Sequence, residues 1–146
     1  MLEATAIAED DHFWFVGLRR NASQLLAAAL NGSRPTRIVD CGAGTGRNLE
    51  WLQSVGWSVG VERSLVGLRV GHSFRRRLVR GTVTALPLPD ASVDVATSFD
   101  VLYCLDDASE RAAVAEMWRV LKPGGVVLIN VAALESLRGS HSTLTM

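Results

Sequence analysis

The sequence predicts an α/β protein built on one doubly wound, parallel sheet. Short β-branched runs alternate along the chain with segments of helical periodicity, which is the pattern of strands joined by crossover helices. The first apolar run enters a glycine-rich turn, Cys41-Gly42-Ala43-Gly44-Thr45-Gly46, that opens directly onto a helix. The chain has 146 residues, 48% of them hydrophobic and 21% charged. That is the size and apolar content of a single domain with a packed core. Global disorder is excluded by the same figures.

Each element reads in order. An amphipathic helix is expected from about Leu18, with Leu18, Ala22, Leu25, Leu26 and Ala29 on one face, stopping at Asn31-Gly32. Thr36–Asp40 reads as the first strand. A helix carrying Leu49, Leu52 and Val55 follows the glycine turn and ends at Gly56. Ser58–Glu62 is the second strand, Leu65–Phe74 a short helix, and Arg77–Gly81 the third strand. The loop Leu86-Pro87-Leu88-Pro89-Asp90 leads to a fourth strand at Val93–Phe99. In the next helix Asp107 and Glu110 form a capping pair, and Val114, Met117, Trp118 and Leu121 form the buried stripe. Lys122-Pro123-Gly124-Gly125 closes that helix, and Val126–Val131 is the fifth strand.

Charge and composition exclude several classes. Lys+Arg 15 balance Asp+Glu 15, so no net field draws the chain to nucleic acid or to a membrane surface. Cys41 and Cys104 are too few for a disulfide framework, and His12, His72 and His141 lack metal-ligand spacing. No metal is expected. The acidic opening (Glu3, Glu9, Asp10, Asp11) has no basic leader, and the longest apolar stretch, Val126–Leu134, is interrupted by Asn130. A cytoplasmic protein is expected.

The glycine turn carries the first chemical signal. Glycines let a backbone approach a ligand closely, and the helix beyond the turn would present free N–H groups. A dinucleotide fingerprint wants a small residue where Arg47 stands, and no phosphate-binding lysine follows the turn. Glu62, at the tip of the second strand, can accept both hydroxyls of a ribose. A plain tight turn and a solvated strand end are the competing readings of these two features.

Beyond these residues the chain resembles a known family. Val39-Asp40-Cys41-Gly42-Ala43-Gly44-Thr45-Gly46 is similar to the first motif of the class I S-adenosylmethionine-dependent methyltransferases. Glu62 falls where their ribose-binding acid stands. Leu86-Pro87-Leu88-Pro89-Asp90 with Ser92-Val93-Asp94 resembles the "LPF.D.SFD" stretch of the small-molecule branch. Arg119-Val120-Leu121-Lys122-Pro123-Gly124-Gly125 resembles its "R.LKPGG" signature, and His12-Phe13-Trp14-Phe15 with Arg19 the "HFWF…R" opening of one subgroup. The matches run in order over residues 12–138.

The resemblance implies a Rossmann-like sheet of five parallel strands in the order 3-2-1-4-5 with helices on both faces. It also implies S-adenosyl-L-methionine as cofactor and a small-molecule acceptor. Asp40 and the turn Gly42, Ala43, Gly44 and Gly46 would hold the methionine end, Asp40 through the ammonium. Glu62 would hold the ribose, with Arg63 shaping the adenine pocket. Thr82, with Val83 beside it, stands where relatives place an acid against the adenine amino group. Ser98, Phe99 and Asp100 would lie beside the reactive methyl.

A base is needed only where the acceptor must lose a proton. Relatives often carry a histidine after the fourth strand, where this chain has Cys104. Asp100 is the remaining acidic candidate for catalysis, with a structural role as its alternative. Cys104 reads as a small buried hydrophobe rather than a nucleophile. Phe13-Trp14-Phe15 could line an acceptor pocket or plug the first helix onto the sheet, and His12 reads as a surface or capping residue. Arg75-Arg76-Arg77 with Arg80 reads as a solvated helix end, not a nucleic-acid platform. Trp51, Trp57 and Trp118 read as core or edge packing.

Residues 1–146 are expected to form one domain: a helical cap over 1–33, a cofactor-binding core over 34–131 and a tail over 132–146. The tail departs from the family, whose final antiparallel hairpin the chain is expected to lack. The fifth strand would then be an open apolar edge inviting self-association. Methyl transfer to a small molecule is the leading function. The alternatives are a shortened, non-catalytic protein that binds the cofactor or a partner, and a nicotinamide oxidoreductase, which Arg47 disfavours.

Overall fold

The computed structural model describes residues 12–35 and 37–131. Expectations for residues 1–11, for Thr36 and for the tail 132–146 lie outside the described residues.

Among the described residues five strands form one sheet: β1 (Arg37–Cys41), β2 (Trp57–Glu62), β3 (Leu78–Arg80), β4 (Val93–Phe99) and β5 (Leu121–Asn130). Their order is β3-β2-β1-β4-β5, and every neighbouring pair runs parallel. Helix α1 (Phe13–Leu30) precedes β1, and parallel strands need crossovers: α2 (Leu49–Val55) joins β1 to β2, α3 (Leu65–Ser73) joins β2 to β3 and α4 (Asp107–Val120) joins β4 to β5. This is the Rossmann-like order expected.

Alternation of side chains across the pleat divides the core in two. Ile38 and Val95 face α1, α2 and α3, where Leu26, Leu49, Leu52 and Leu68 pack on them. Val39, Cys41 and Ala96 face the other way, onto Ala113, Met117 and Val120 of α4 and onto Val83 and Leu86. All central strands are therefore covered on both faces, as parallel sheets require.

Three boundaries differ from the sequence reading. Helix α1 starts at Phe13 rather than near Leu18, because the His12 side chain caps it, Nδ1 accepting the Trp14 N–H at 3.3 Å. The aromatic run is thus helical, and Leu25 and Ala29 lie outside the buried face of Ala22 and Leu26. The N-cap of α4 is Asp106, not Asp107: its Oδ1 accepts the Ser109 N–H at 2.8 Å. Finally, Lys122-Pro123-Gly124-Gly125 is no separate loop. Helix α4 hands over directly to β5 at Leu121, and a bulge between Val93 and Val95 absorbs the irregular register.

The buried stripe of α4 is Ala113, Met117 and Val120; of the expected Val114, Met117, Trp118 and Leu121 only Met117 belongs to it, and Leu121 is the C-cap. The cause is polar. Arg119 donates to the carbonyls of Leu86 (3.1 Å) and Leu88 (2.9 Å) and to Asp90, while Glu116 accepts the Leu86 N–H at 2.7 Å. Facing that flank toward the Pro-containing loop turns Val114 and Trp118 outward, and Trp118 is 81% exposed. The expected packing role of Trp118 is therefore not met; Trp57 lies half-exposed under Arg77, and Trp51 packs against Phe99.

Candidate functional site

The carboxyl ends of β1, β2 and β4 meet at the glycine turn, the switch point where crossovers leave the sheet in opposite directions. Gly42, Gly44 and Gly46 all take positive φ (79°, 57° and 77°), a conformation that L side chains adopt at a cost. Gly42 is also closed in: a Cβ there would stand 2.5 Å from Val101 Cγ2, so the segment after β4 lies directly on the turn.

The amides of the turn itself are not free. Gly42 and Ala43 N–H both donate to the Val61 carbonyl (2.9 and 3.0 Å), Gly46 N–H donates to the Ala43 carbonyl (2.7 Å), and Gly44 N–H donates to Glu62 Oε2 at 2.8 Å. These four donors are consumed in shaping the turn. None of these four amides is left to hydrogen-bond a ligand.

Glu62 is 8% exposed, which removes the solvated strand end as its reading. Its carboxylate bridges the turn and the start of α3, Oε1 accepting the Ser64 N–H at 2.6 Å. Each oxygen keeps lone-pair capacity for a further donor. Arg63, the next residue, is exposed. The chain returns beside Glu62 at Gly81, whose N–H donates to the Glu62 carbonyl at 3.1 Å, so Thr82 borders the same corner. Thr82 Oγ1 is engaged with Thr84 Oγ1 at 2.9 Å. Val83 is a core residue, its side chain packed with Val61 and Leu86.

Asp40 sits lower than expected. It is buried in the sheet, where Thr97 Oγ1 donates to its Oδ1 at 2.8 Å, and its Oδ2 has no protein partner. Burial pushes its pKa up to about 7, the Thr97 hydrogen bond opposing and the charge of Glu62 adding to the rise. Ser98 is also buried, donating to the Cys41 carbonyl at 3.2 Å, so it ties β4 to β1 rather than lining a surface.

Asp100 begins the segment that reaches Val101. It is a non-glycine residue at φ 57°, a strained conformation that the surroundings must hold. Asn130 Nδ2 donates to its Oδ1 at 2.7 Å, and the Trp14 side chain hydrogen-bonds it as well. Burial outweighs both bonds and raises its pKa. Trp14 and Asn130 in turn line a cavity of about 290 Å³ between α1 and the tips of β4 and β5, with Phe13, Leu18, Asn21, Leu25, Phe99 and Ile129. Asp100 itself is not in that lining. Phe13 and Trp14 thus line a pocket, the first of the two readings of the aromatic run. Cys104 Sγ lies half-buried against the Asp100 carbonyl.

Two features of the site escaped the sequence reading. Gly67 and Gly71, four apart on α3, face the turn: a Cβ on Gly67 would lie 2.7 Å from the Gly44 carbonyl oxygen, and one on Gly71 2.6 Å from that of Thr45. The second is Arg76. Expected in a solvated helix end, it is 9% exposed and donates to the Thr45 carbonyl at 3.1 Å. Among the described residues no group of His, Cys, Asp or Glu could hold a metal ion, and no helix is long and apolar enough to cross a membrane.

A glycine turn braced by a strand-tip carboxylate, at the switch point of a 3-2-1-4-5 parallel sheet, defines a Rossmann-like α/β protein. The chain belongs to the S-adenosylmethionine-dependent methyltransferases: residues 39–129 match the methyltransferase domain family. It is 32% identical over 127 residues to the malonyl-[acyl-carrier protein] O-methyltransferase of Pseudescherichia vulneris, covering 85% of this chain and 50% of that protein. It is 36% identical over 133 residues to a "Probable S-adenosylmethionine-dependent methyltransferase" of Mycolicibacterium smegmatis, with 83% and 46% covered. CalS10 of Micromonospora echinaspora, an amino pentose methyltransferase solved with its cofactor bound, superimposes with a TM-score of 0.76 at 25% identity, over 93% of this chain and 58% of that one. The chain spans about half the length of the curated relatives it matches.

Proposed function

We propose that this chain binds S-adenosylmethionine at the glycine turn and takes part in methyl transfer to an uncharged, largely apolar small molecule. One observation carries the cofactor reading: Glu62 is buried at the turn, while the amides of Gly42, Ala43, Gly44 and Gly46 are already used. A pyrophosphate needs free N–H donors and is repelled by carboxylates; a ribose and a cationic sulfonium want the reverse. The same balance disfavours a nicotinamide dinucleotide.

In this reading Glu62 accepts from the ribose hydroxyls on the lone pairs its two backbone donors leave open. The glycines at 42, 44 and 46 let the backbone take the positive φ values of the turn, with Val101 packed against Gly42. Asp40 acts from beneath, its unpaired Oδ2 providing the negative charge that an ammonium, or a water held by it, satisfies. When bound, the cofactor supplies an electrophilic methyl on sulfur, so the protein's work is alignment and exclusion of water. Asp100 holds Trp14 and Asn130 at the wall of the cavity and is a positioning residue in this scheme. Among the described residues the cavity lining has no ionisable side chain, and Asn21 and Asn130 give it two amides to orient an acceptor.

Self-association through the edge of β5, unpaired among the described residues, accompanies this reading, supported by the exposure of Val127 and Val131.

Calorimetric titration with S-adenosylhomocysteine tests the cofactor site, and a turnover assay over neutral acceptors tests transfer. Binding to wild type that weakens in Glu62→Ala supports the proposal. Binding without turnover on any acceptor leaves a cofactor-binding protein in its place, and no binding by wild type removes it.

A further inference from the structure

We infer that Arg76 is a positioning residue of the cofactor site: from behind the glycine turn it holds the Thr45 carbonyl toward α3 and so keeps the turn open for a ligand. This rests on the reading of the turn as that site.

The softest link in the turn is the peptide between Thr45 and Gly46. That peptide turns about ψ of Thr45 and φ of Gly46, and Gly46, at φ 77°, crosses to other φ values at little cost. Rotation of that peptide would swing the Thr45 carbonyl out of its present direction. Two hydrogen bonds resist it. Gly46 N–H donates to the Ala43 carbonyl at 2.7 Å, and Arg76 Nη1 donates to the Thr45 carbonyl at 3.1 Å and lies 3.4 Å from its Oγ1.

The guanidinium is fixed on its other sides. Nε and Nη2 donate to Glu50 Oε1 at 3.1 and 2.6 Å, in the first turn of α2, and the other Glu50 oxygen is paired with Arg47. Phe74 lies 4.8 Å from its centre. The backbone N–H of Arg76 donates to the Gly71 carbonyl at 3.0 Å, which locks the side chain's base to α3. One planar cation therefore joins the glycine turn, α2 and α3, a geometry that an ammonium cannot reproduce.

Without it, the carbonyl of fully buried Thr45 loses its charged partner. Loss of a charged donor to a buried acceptor is costly, and rotation of the peptide lets the carbonyl relax. The turn then samples shapes that do not fit the ligand, and affinity falls by the fraction of time spent in them.

The test compares Arg76→Met and Arg76→Lys with Met117→Ala, a cavity on the opposite face of the sheet. Thermal unfolding and the dissociation constant for S-adenosylhomocysteine are measured for each, the latter well below every unfolding transition. We expect Arg76→Met to bind about tenfold or more weaker, the scale of a lost charged hydrogen bond. Arg76→Lys should fall between Met and wild type, and it carries the comparison if Arg76→Met does not fold. Met117→Ala should unfold at lower temperature and bind as wild type does. Affinity within twofold of wild type in both Arg76 variants overturns the inference while leaving the cofactor site standing, as does an equal weakening in Met117→Ala. Failure of wild type to bind removes the cofactor site itself, and this inference with it.

Discussion

The N–H of Gly44 donates to Glu62 Oε2 at 2.8 Å, across 18 residues of chain, so the strand-tip carboxylate and the glycine turn form one unit. Glu62 therefore has a structural task before any ligand arrives. It accepts from Gly44 and Ser64, which sets the distance between the turn and α3.

Replacing it should disturb both tasks. Glu62→Ala should lose about 1–3 kcal/mol of cofactor affinity through the missing ribose acceptor, and it strands two buried N–H donors as well. Glu62→Gln is the sharper probe, because its NH₂ must face either Gly44 N–H or Ser64 N–H. Calorimetry with S-adenosylhomocysteine beside thermal unfolding separates the two losses, and an unchanged affinity in Glu62→Ala would show that the carboxylate serves only the fold.

Gly67 gives a second probe from behind. Its missing Cβ lets α3 approach the Gly44 carbonyl, and an added methyl would lie 2.7 Å from that oxygen and 3.1 Å from Glu62 Cγ. Backbone cannot yield as a flexible side chain does, so Gly67→Ala should cost about 1–3 kcal/mol in stability and weaken cofactor binding together. Gly17→Ala, in α1 with open space around its Cα, should instead be neutral or slightly stabilising. Chemical denaturation of the two variants decides it: an unperturbed Gly67→Ala would mean that α3 moves freely against the turn.

Much of this was legible in the sequence, for reasons that differ by residue. Glu62 and the three glycines could be placed because strand, turn and strand tip follow one another and a backbone requirement fixes the residue type. The sheet order followed from resemblance, and the alternation of strands and helices gave it a physical basis. What could not be read was direction. Nothing in the residues shows that Val61 and Glu62 accept the N–H groups of the turn. The face of α4 was misjudged because Arg119 and Glu116 outbid Trp118 for the inner flank. Arg76 was hidden among Arg75 and Arg77, three like residues of which one turns inward. The spacing of Gly67 and Gly71 on one helix face was the available signal for a close approach, and it passed unread.

The outer edge of β5 leads to a third prediction. Among the described residues no strand pairs with that edge, and Val127 and Val131 are about half exposed. An apolar edge with unpaired backbone groups is a template for another chain. The protein should associate in a concentration-dependent way in sedimentation velocity. Val127→Lys should weaken that association by about tenfold, or about 1.4 kcal/mol, since the pairing would have to bury a charge. A single monomeric boundary at high concentration for the unaltered chain would rule the edge out as a contact.

Asp40 makes pH dependence the remaining test. Its pKa rises from 3.8 in an unfolded chain to about 7 in the fold, chiefly by burial. Between those values the folded state keeps a proton that the unfolded state has lost. Stability from this group is therefore fully present below the unfolded value and declines as pH rises, by up to about 1.4 kcal/mol per pH unit, until it levels off above about 7. Asp40→Asn cannot ionise and should lack this decline, so the difference between wild type and variant traces the group. Ligand binding runs in the opposite direction. A cation held above Asp40 favours the ionised form, so the affinity of wild type for S-adenosylhomocysteine should rise with pH through about 7, with proton release on binding, while that of Asp40→Asn stays flat. Calorimetry in buffers of differing ionisation enthalpy reads the proton directly. If wild type and Asp40→Asn show the same pH profile, the orphaned Oδ2 is a feature of the sheet and takes no part in holding the ligand.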